Sequence, residues 1–369
     1  MTGIIFEWVA LSINFTDFNL KIMRKLFVFF WIFTCTSVLD AQSYKAGLIA
    51  FYNLENLFDT INTEGVEDEE FTPEGINRWN GDKYRHKIEN IAQAVYLIGE
   101  EDGWKGGPAI LGVSETENRQ VLEDLIVHPL LKESGYQIVH YDSPDLRGVD
   151  VALLYRARFF RVTSSSSNEL KITDENGERI FTRDQLVVSG IFDGEPMHFI
   201  VNHWPSRSGG ELATRPRRNA TADLTRHLVD SLLALDGNAK IFVMGDLNDD
   251  PSNESLRKHL RAGPDAEKLK DGELFNCMYP LFKKGVGSLY YRDGMNLFDQ
   301  IIITPALTGK DYSTYKFYKS QVFNSQFLVQ KDGQYKGYPL RTYVGTVFQS
   351  GFSDHFPVYI LIVKNTTRE

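Results

Sequence analysis

The chain has 369 residues, a length that allows one large domain or two of ordinary size. Hydrophobic residues make up 42% of it and charged residues 24%, which excludes a disordered chain, a collagen-like fibre and a polytopic membrane protein. The formal net charge of −9 excludes a protein whose whole surface coats nucleic acid, but it leaves room for a local basic cleft. The two cysteines, Cys35 and Cys277, are too few for a disulfide framework or a cysteine-based zinc site.

The N-terminal segment has the pattern of a secretory signal peptide. Residues 23–41 begin with Met-Arg-Lys, continue with a short apolar run over residues 26–33 and end at the small residue Ala41. The apolar run is too short to span a bilayer as a stable anchor. We therefore expect translation to begin at Met23 and residues 1–41 to be a non-mature N-terminus, with export to the periplasm or the extracellular space.

Two alternatives to an export signal stay open. One is an ordinary buried N-terminal helix. The other is a lipid anchor on Cys35, which is less favoured because Thr34 before it fits a lipoprotein cleavage site poorly. Cleavage after Ala41 would leave Cys277 as the one cysteine, so no internal disulfide is expected in a mature domain of residues 42–369.

From Leu48 onward, short β-branched and aromatic runs alternate with segments of helical periodicity, and no linker interrupts them. This alternation predicts a single mixed α/β domain of roughly 320 residues. The Ser164–Ser167 run is expected to be a loop, and the acidic stretch Glu64–Glu70 a solvated loop without the ligand spacing of a calcium site. The predicted strands cover residues 48–53, 109–114, 136–141, 150–156, 185–192, 197–203, 240–245, 298–303 and 356–363.

Apolar residues at helical spacing predict two long helices. The first covers residues 82–98 with Asp82 as its N-cap, and the second covers about 217–235 with Pro216 in its first turn. Basic residues flank Trp79 at the start of the first helix. They either stack and hold a nucleic acid strand together with Trp79 or form a solvated surface around a buried tryptophan. These basic residues are Arg78, Lys83, Arg85 and Lys87.

Polar side chains follow the ends of five apolar runs and carry carboxylate, amide or imidazole groups. Ligands of open α/β sheets bind beyond the strand ends, so these residues are candidates for one shared site. Each ending alone has an ordinary explanation as a turn, a cap or a loop histidine, but turns do not explain all five together. The endings are Asn53, Glu115, His203, Gly245-Asp246-Leu247-Asn248 and Ser353-Asp354-His355.

In this order, the motifs resemble those of the endonuclease/exonuclease/phosphatase superfamily, which includes DNase-I-like nucleases, apurinic-site endonucleases, sphingomyelinases and inositol-polyphosphate 5-phosphatases. The resemblance spans about residues 46–363 and is most specific at Gly245–Asn248 and Ser353–His355. Asp299 matches the family's aspartate before the penultimate core strand. The resemblance implies a four-layer α/β sandwich with two packed mixed β-sheets (DNase-I-like), whose site lies where strand ends of both sheets meet.

The resemblance also implies a metal site, and the chemistry of phosphoester hydrolysis supports it. The reaction needs an activated water, charge relief on the phosphoryl oxygens and help for the leaving oxygen. A ligand set of oxygens without thiolate suits Mg²⁺, with Mn²⁺ or Ca²⁺ as alternatives. The implied metal ligands are Glu115, Asn53 beside it, and Asp354.

The resemblance implies catalytic roles for the other polar residues of the motifs. Asp246 orients or deprotonates the attacking water, and Asn248 holds a phosphoryl oxygen of the substrate. His355 stabilises the charge of the transition state, and Asp299 fixes the His355 ring by a hydrogen bond. His203 binds phosphate or protonates the leaving group.

A basic cluster directly after His203 predicts further substrate contacts. Arg207 and Arg215 are expected to bind phosphate oxygens through bidentate guanidinium groups. For the neighbouring Arg217 and Arg218, a solvated helix start is an equally good explanation.

The motifs place the chain nearest to the DNase-I-like and sphingomyelinase branches, because it has Ser114-Glu115 and His203 and lacks Tyr-Arg after Asn248. We therefore predict a Mg²⁺-dependent endonuclease-like phosphodiesterase that acts on nucleic acid as a monomer without an obligate protein partner. The alternative is a phosphatase or phosphodiesterase that acts on inositol phosphates or sphingomyelin-like lipids. A binding protein that has kept the fold and lost catalysis ranks lower, because every central residue is present.

Overall fold

The computed structural model describes residues 43–366 apart from residues 175 and 293, so the predicted signal peptide and Cys35 lie outside the described residues. The strands are, in chain order, β1 (Tyr44–Leu57), β2 (Ile110–Thr116), β3 (Tyr136–His140), β4 (Asp150–Arg156), β5 (Phe160–Asn168), β6 (Ile172–Thr173), β7 (Arg179–Ile180), β8 (Gln185–Phe192), β9 (Glu195–His203), β10 (Ile241–Asp246), β11 (Ala262–Gly263), β12 (Leu274–Asn276), β13 (Leu289–Tyr291), β14 (Gly294–Asn296), β15 (Asp299–Ile303), β16 (Lys316–Val322), β17 (Tyr343–Val344), β18 (Val347–Phe348) and β19 (Val358–Asn365). The α-helices are α1 (Gly81–Leu97), α2 (Arg119–Val127), α3 (Pro129–Lys132), α4 (Glu211–Leu235) and α5 (Tyr279–Phe282).

Two mixed sheets carry the architecture. The first sheet has the strand order β16-β19-β1-β2-β4-β3, and the second has the order β11-β12-β15-β10-β9-β8-β5. In each sheet a parallel pair, β1 with β2 and β9 with β10, lies beside an antiparallel neighbour, β19 or β15. The predicted fold of two packed mixed sheets is therefore confirmed.

The two sheets pack face to face through one apolar core. Phe51 and Val113 of the first sheet and Phe199 and Met244 of the second are fully buried in it. At Gly112 the faces approach so closely that an added Cβ would lie 2.6 Å from Met244 Sδ. Glycine at this position therefore fixes the separation of the sheets at the strand that leads to Glu115.

Helices cover the sandwich. The apolar side of α1, with Ile91 and Val95, belongs to the same core as the first sheet, whereas Ala222 and Val229 of α4 pack in a separate cluster with the second sheet. Among the described residues, no helix is both long and apolar enough to cross a membrane. Cys277 is buried as a free thiol.

Both predicted helices are present, but their N-termini differ from the prediction. The side chain of Asn80, and not of Asp82, caps α1 by accepting hydrogen bonds from the backbone N–H groups of residues 82 and 83. Helix α4 begins at Glu211, so Pro216 lies inside it rather than in its first turn. The Ser164–Ser167 run forms part of β5 instead of a loop.

Candidate active site

The ends of the central strands of the second sheet place three of the predicted residues side by side. Asp246 at the end of β10 is in register with His203 at the end of the parallel strand β9. On its other side, Asp246 pairs with Asp299, the first residue of the antiparallel strand β15. An added Cβ at Gly245 would lie 2.3 Å from the carbonyl oxygen of Asn202, so the close passage of β9 requires glycine before Asp246.

The first sheet contributes residues from the same edge. Asn53 of β1 is in register with Ser114 of β2, and Glu115 follows directly. The Ser353 hydroxyl donates a 2.7 Å hydrogen bond to the carbonyl oxygen of Asn53 and accepts one of 3.1 Å from the backbone N–H of His355. Ser353 thereby fixes the segment before β19 against the end of β1.

Asp246 contacts polar side chains from both sheets. Its Oδ2 accepts a 3.2 Å hydrogen bond from Asn53 Nδ2 and lies 3.6 Å from His203 Nε2 and 3.9 Å from His355 Nε2. Glu115 Oε1 lies 3.7 Å from the same His203 nitrogen. The sandwich therefore brings the polar endings of strands that are far apart in the sequence into one buried cluster.

The backbone around this cluster adopts an unfavourable conformation. Glu55, Asn56, Glu115 and Asn248 have φ angles of 48°, 50°, 58° and 49°, in the left-handed region that few residues other than glycine occupy. The ladder between β1 and β2 also shifts register after Asn53. Such strain costs of order 1–3 kcal/mol per residue and concentrates at functional sites, where it directs side chains out of the regular ladder.

His355 is the positively charged group of the cluster. Its Nδ1 lies 2.7 Å from Asp299 Oδ2, which also accepts a 2.5 Å hydrogen bond from Ser288 Oγ. Burial by itself would lower the pKa of His355, but the carboxylates of Asp299, Asp246 and Asp354 hold that pKa well above its usual value. His355 is therefore an imidazolium at neutral pH, with Nε2 directed toward Asp246.

His203 is in the opposite state. Burial lowers its pKa well below the usual value, and the guanidinium groups of Arg183 and Arg147 lower it further. Its Nδ1 is buried with no hydrogen-bond partner among the described residues. At neutral pH, a neutral His203 and a charged His355 therefore face the same carboxylate.

Asp246 itself titrates near neutrality. Burial is the main cause that raises its pKa to about 7, and the charge of His355 opposes this rise. The backbone N–H of Asn248 donates a 3.0 Å hydrogen bond to Asp246 Oδ1, while Asn248 Nδ2 donates to the carbonyl oxygen of Trp204, also at 3.0 Å. The hydrogen bond from Asn248 thus orients the Asp246 carboxylate through Oδ1, while Oδ2 faces His203 and His355.

Two of the three predicted metal ligands offer oxygen donors at the ends of neighbouring strands. Glu115 Oε2 accepts a 3.0 Å hydrogen bond from the backbone N–H of Asn56, and Asn53 Oδ1 accepts one of 2.9 Å from the backbone N–H of Glu55. This sparse set fits Mg²⁺, which keeps several waters and uses one or two protein carboxylates. Asp354 is instead paired with Arg341, so the metal role predicted for it has no support in this arrangement.

A second group of candidate ligands, which the sequence did not indicate, lies at the start of β4. Donor atoms of His140, Asp142 and Asp150 lie within 4.8 Å of one another. The imidazole stands between the two carboxylates, with Nε2 3.0 Å from Asp150 and Nδ1 3.9 Å from Asp142. Because the carboxylates face opposite ring nitrogens, this arrangement suits a hydrogen-bonded histidine better than a metal site.

The structure places one of the two predicted substrate arginines differently from expectation. Arg207 is buried, and its guanidinium donates hydrogen bonds to the carbonyl oxygen of Asn248 at 2.9 Å and to Asp249 Oδ1 at 3.0 Å. Arg207 therefore supports the loop after Asp246 rather than offering a free fork to phosphate. Arg215 lies 3.8 Å from Glu254 in a partly exposed ion pair, and its contact with phosphate stays a prediction.

Trp79 and Lys87 of the predicted basic cluster are part of the fold, whereas Arg78 and Arg85 are exposed surface residues. Trp79 is buried, which excludes the stacking of a base on its ring. Lys87 is also buried, and its ammonium group donates 2.6 Å hydrogen bonds to Thr342 Oγ1 and to the carbonyl oxygen of Phe352. Arg218 is fully buried as well, so it does not belong to a solvated helix start.

Sequence reasoning missed a charged network beside the cluster. Glu55 lies 3.6 Å from Lys87 Nζ and 3.7 Å from Arg341 Nε, and burial raises the pKa of Glu55 to about 7. Arg341 continues the network to Asp354, the residue before His355. The only sequence signal was the position of Glu55 two residues after Asn53, because the partners come from distant segments.

Two packed mixed sheets with carboxylate, amide and imidazole groups at their common edge define a phosphoesterase fold. The profile of the Endonuclease/Exonuclease/phosphatase family matches residues 48–364, and the chain belongs to this family. The resemblance inferred from the motifs is thereby confirmed. Members of this family are divalent-metal-dependent hydrolases. A search of curated proteins gives no match.

Solved structures share the fold at low sequence identity. A family protein from Bacteroides thetaiotaomicron is 16% identical with a TM-score of 0.53, over 88% of this chain and 100% of that one. A D. rerio TDP2 humanized by 14 mutations is 13% identical with a TM-score of 0.52, over 86% and 98% of the two chains. D. rerio TDP2 complexed with a single-strand DNA product is 12% identical with a TM-score of 0.52, over 86% and 99%.

Proposed function

We propose that this protein hydrolyses phosphoesters with a water molecule that Asp246 orients and deprotonates. The observation that carries the proposal is the placement of Asp246 Oδ2 at 3.6 Å and 3.9 Å from His203 and His355, whose pKa values are shifted in opposite directions. Titratable groups with pKa values pushed apart are typical of acid–base assignments in active sites. With its own pKa raised to about 7 by burial, Asp246 has the proton affinity that suits a general base near neutral pH.

The remaining residues stabilise charge and hold the substrate. His355 donates a hydrogen bond from Nε2 to a phosphoryl oxygen, and Asp299 keeps its ring protonated and oriented. The neutral His203 is a poor proton donor, which favours binding of a phosphoryl oxygen over protonation of the leaving group. A Mg²⁺ ion held by Glu115 and Asn53 would supply charge neutralisation on the phosphoryl oxygens.

Phosphodiester cleavage in nucleic acid is the first candidate reaction. It rests on the DNase-I-like motifs, and D. rerio TDP2, a structure similar in fold, was solved with a single-strand DNA product. Hydrolysis of a small phosphoester is the second candidate. It is favoured by a compact cavity lined in part by Asp354, whose Oδ1 lies 3.9 Å from His355 Nε2.

The decisive experiment measures turnover of bis(p-nitrophenyl) phosphate and p-nitrophenyl phosphate with Mg²⁺ and with excess chelator. The wild type should be active only with the metal, and Glu115→Gln and Asp246→Asn should each lower kcat by roughly 10²–10³-fold. Asp142→Asn, which changes an exposed carboxylate of the second ligand group, is the matched control and should keep the wild-type rate. Metal-independent turnover, or near-normal rates in both active-site variants, would refute the proposal.

A panel of plasmid DNA, single-stranded DNA, RNA, phosphoinositides and sphingomyelin, run at one salt concentration, separates the substrate classes.

We also propose export of the mature protein, on the signal-peptide pattern of residues 23–41. Intact-mass analysis of protein recovered from the native host tests this. A mature chain that starts at Gln42 supports export, whereas an unmodified residue 23–41 segment in the cytoplasmic fraction contradicts it.

A further inference from the structure

Lys87 of α1 is a buried charged residue for which the hydrolytic cluster has no direct use. Its Nζ donates 2.6 Å hydrogen bonds to Thr342 Oγ1 and to the carbonyl oxygen of Phe352, and it lies 3.6 Å from Glu55 Oε2. Burial lowers the pKa of Lys87, and the carboxylate of Glu55 is the main influence that opposes this fall. Lys87 therefore has two hydrogen-bond acceptors and one partner of opposite charge, which is Glu55.

Glu55 connects this lysine to the end of β1. Its Oε2 also accepts a 2.6 Å hydrogen bond from the backbone N–H of Thr342, and its Oε1 lies 3.7 Å from Arg341 Nε. The side chain of Lys87 is fully buried, whereas that of Arg341 is 44% exposed. At similar distances, water screens the exposed charge more than the buried one. Lys87 is therefore the stronger of the two cationic contacts that hold the Glu55 carboxylate.

The backbone at Glu55 and Asn56 orients both implied metal ligands. The N–H of Glu55 donates a 2.9 Å hydrogen bond to Asn53 Oδ1, and the N–H of Asn56 donates one of 3.0 Å to Glu115 Oε2. Both donors belong to residues with left-handed φ angles, 48° and 50°. Such a conformation persists only where surrounding contacts hold it. The contact between the Glu55 side chain and Lys87 is one that does so.

We propose that Lys87 is a positioning residue for the metal ligands: by fixing the Glu55 side chain, it holds the two N–H groups that orient Asn53 and Glu115. The proposal rests on the proposed function, in which these two ligands bind Mg²⁺. Loss of the groups that orient metal ligands typically weakens metal binding by about 10–100-fold. Lys87 thus sets the affinity for Mg²⁺ through Glu55 and is not itself a ligand.

The first test measures the affinity for Mg²⁺ without substrate, by isothermal titration calorimetry of the full protein. Lys87→Met removes the ammonium group and keeps an unbranched side chain of similar length. We expect it to raise the Kd for Mg²⁺ by about 10–100-fold. At saturating Mg²⁺, kcat should return close to the wild-type value, because the ligands themselves are unchanged. An unchanged Kd in Lys87→Met would overturn the proposal.

Asn90→Ala is the matched control. Asn90 lies about one turn after Lys87 on α1, and its Nδ2 donates hydrogen bonds of 3.0 Å and 2.8 Å to the carbonyl oxygens of Ser350 and Gly351. Its loss loosens the same helix from the segment before β19 and leaves the contact between Lys87 and Glu55 in place. We expect Asn90→Ala to lower Tm and to keep the wild-type Kd for Mg²⁺. An equal rise of Kd in both variants would reduce Lys87 to a structural role and refute the proposal.

The second test needs no metal. Hydrogen–deuterium exchange of peptides that cover residues 53–57 reports the two orienting N–H groups in the metal-free protein. Relative to exchange in β10, exchange in these peptides should be faster in Lys87→Met but not in Asn90→Ala, and an unchanged ratio in Lys87→Met would contradict the proposal. Lys87→Gln, which keeps hydrogen-bonding groups but has no charge for Glu55, replaces Lys87→Met in both tests if that variant does not fold. A wild type that binds no Mg²⁺ would refute the proposed metal-dependent function instead, while the exchange rates would still decide whether Lys87 holds the backbone at Glu55.

Discussion

At the scale of single residues, the hydrogen bond between Asp299 and His355 controls the charge at the site. Asp299→Asn removes the carboxylate that raises the pKa of His355, and burial then lowers this pKa. We expect kcat to fall by roughly 10²-fold, since charge stabilisation by imidazolium is lost. The alkaline limb of the pH profile should also move to lower pH, because the ring now loses its proton earlier. Asp311→Asn, at an exposed carboxylate, should leave the profile unchanged, and a parallel shift in both variants would contradict the assignment.

His198 lies outside the catalytic cluster, and its burial makes the stability of the folded protein depend on pH. Burial lowers its pKa from the usual 6.5, so the folded protein holds it neutral. As the pH falls through 6.5, the unfolded chain binds a proton that the folded chain does not, and stability is lost. His198→Gln should therefore reduce the drop in Tm between about pH 8 and about pH 5.5. His227→Gln on α4 serves as the control, and an identical drop in wild type and His198→Gln would contradict the prediction.

The sequence predicted the members of the cluster better than their surroundings. Asp246 and Glu115 were identifiable because each ends an apolar run, and strand ends of this fold meet at one edge. Arg207 was misjudged because a basic residue in a sequence does not reveal whether its partner is a phosphate or a distant carboxylate such as Asp249. For the same reason the sequence did not indicate Ser288, because its hydrogen bond to Asp299 depends on the packing of separate strands.

At the scale of secondary structure, the long interior strands were predictable, whereas the edge strands β5 and β16 were not, although the edge strand β3 was predicted. β1, β2 and β10 are buried almost throughout and read as continuous apolar runs. β5 and β16 form edges of the two sheets, and most of their residues stay partly exposed, so Ser164–Ser167 resembled a loop. Polar side chains on an exposed edge also protect it from pairing with other chains.

The spacing of the sheets gives a prediction for Gly112. Gly112→Ala would place a Cβ 2.6 Å from Met244 Sδ, so one sheet face has to shift. We expect a loss of about 1–3 kcal/mol in the free energy of unfolding, measured by urea denaturation. The double variant with Met244→Ala should lose less than the sum of the two single changes, because it removes the clash. Gly237→Ala, which has open space around its Cβ, should be neutral, and equal effects at both glycines would refute the packing argument.

At the scale of the whole molecule, a metal bound by Asn53 and Glu115 would link the ends of β1 and β2 in the first sheet. Mg²⁺ at about 100 times its Kd should stabilise the protein by about 2.7 kcal/mol, which thermal unfolding reports without any substrate. Glu115→Gln should abolish this metal-dependent rise in Tm, whereas Asp142→Asn should retain it. The reverse pattern would place the ion at His140 and Asp150 rather than at the catalytic cluster.

The pairing of β1 with β19 has a consequence for biosynthesis. Residue pairs from Tyr44 with Asn365 to Phe51 with Val358 join opposite ends of the described chain in the middle of the first sheet. A nascent chain on the ribosome therefore lacks both His355 and the partner of β1 until β19 has been synthesised. Contacts of such long sequence separation also fold slowly. The proposed hydrolytic site is therefore incomplete in the growing polypeptide until β19 has closed the first sheet.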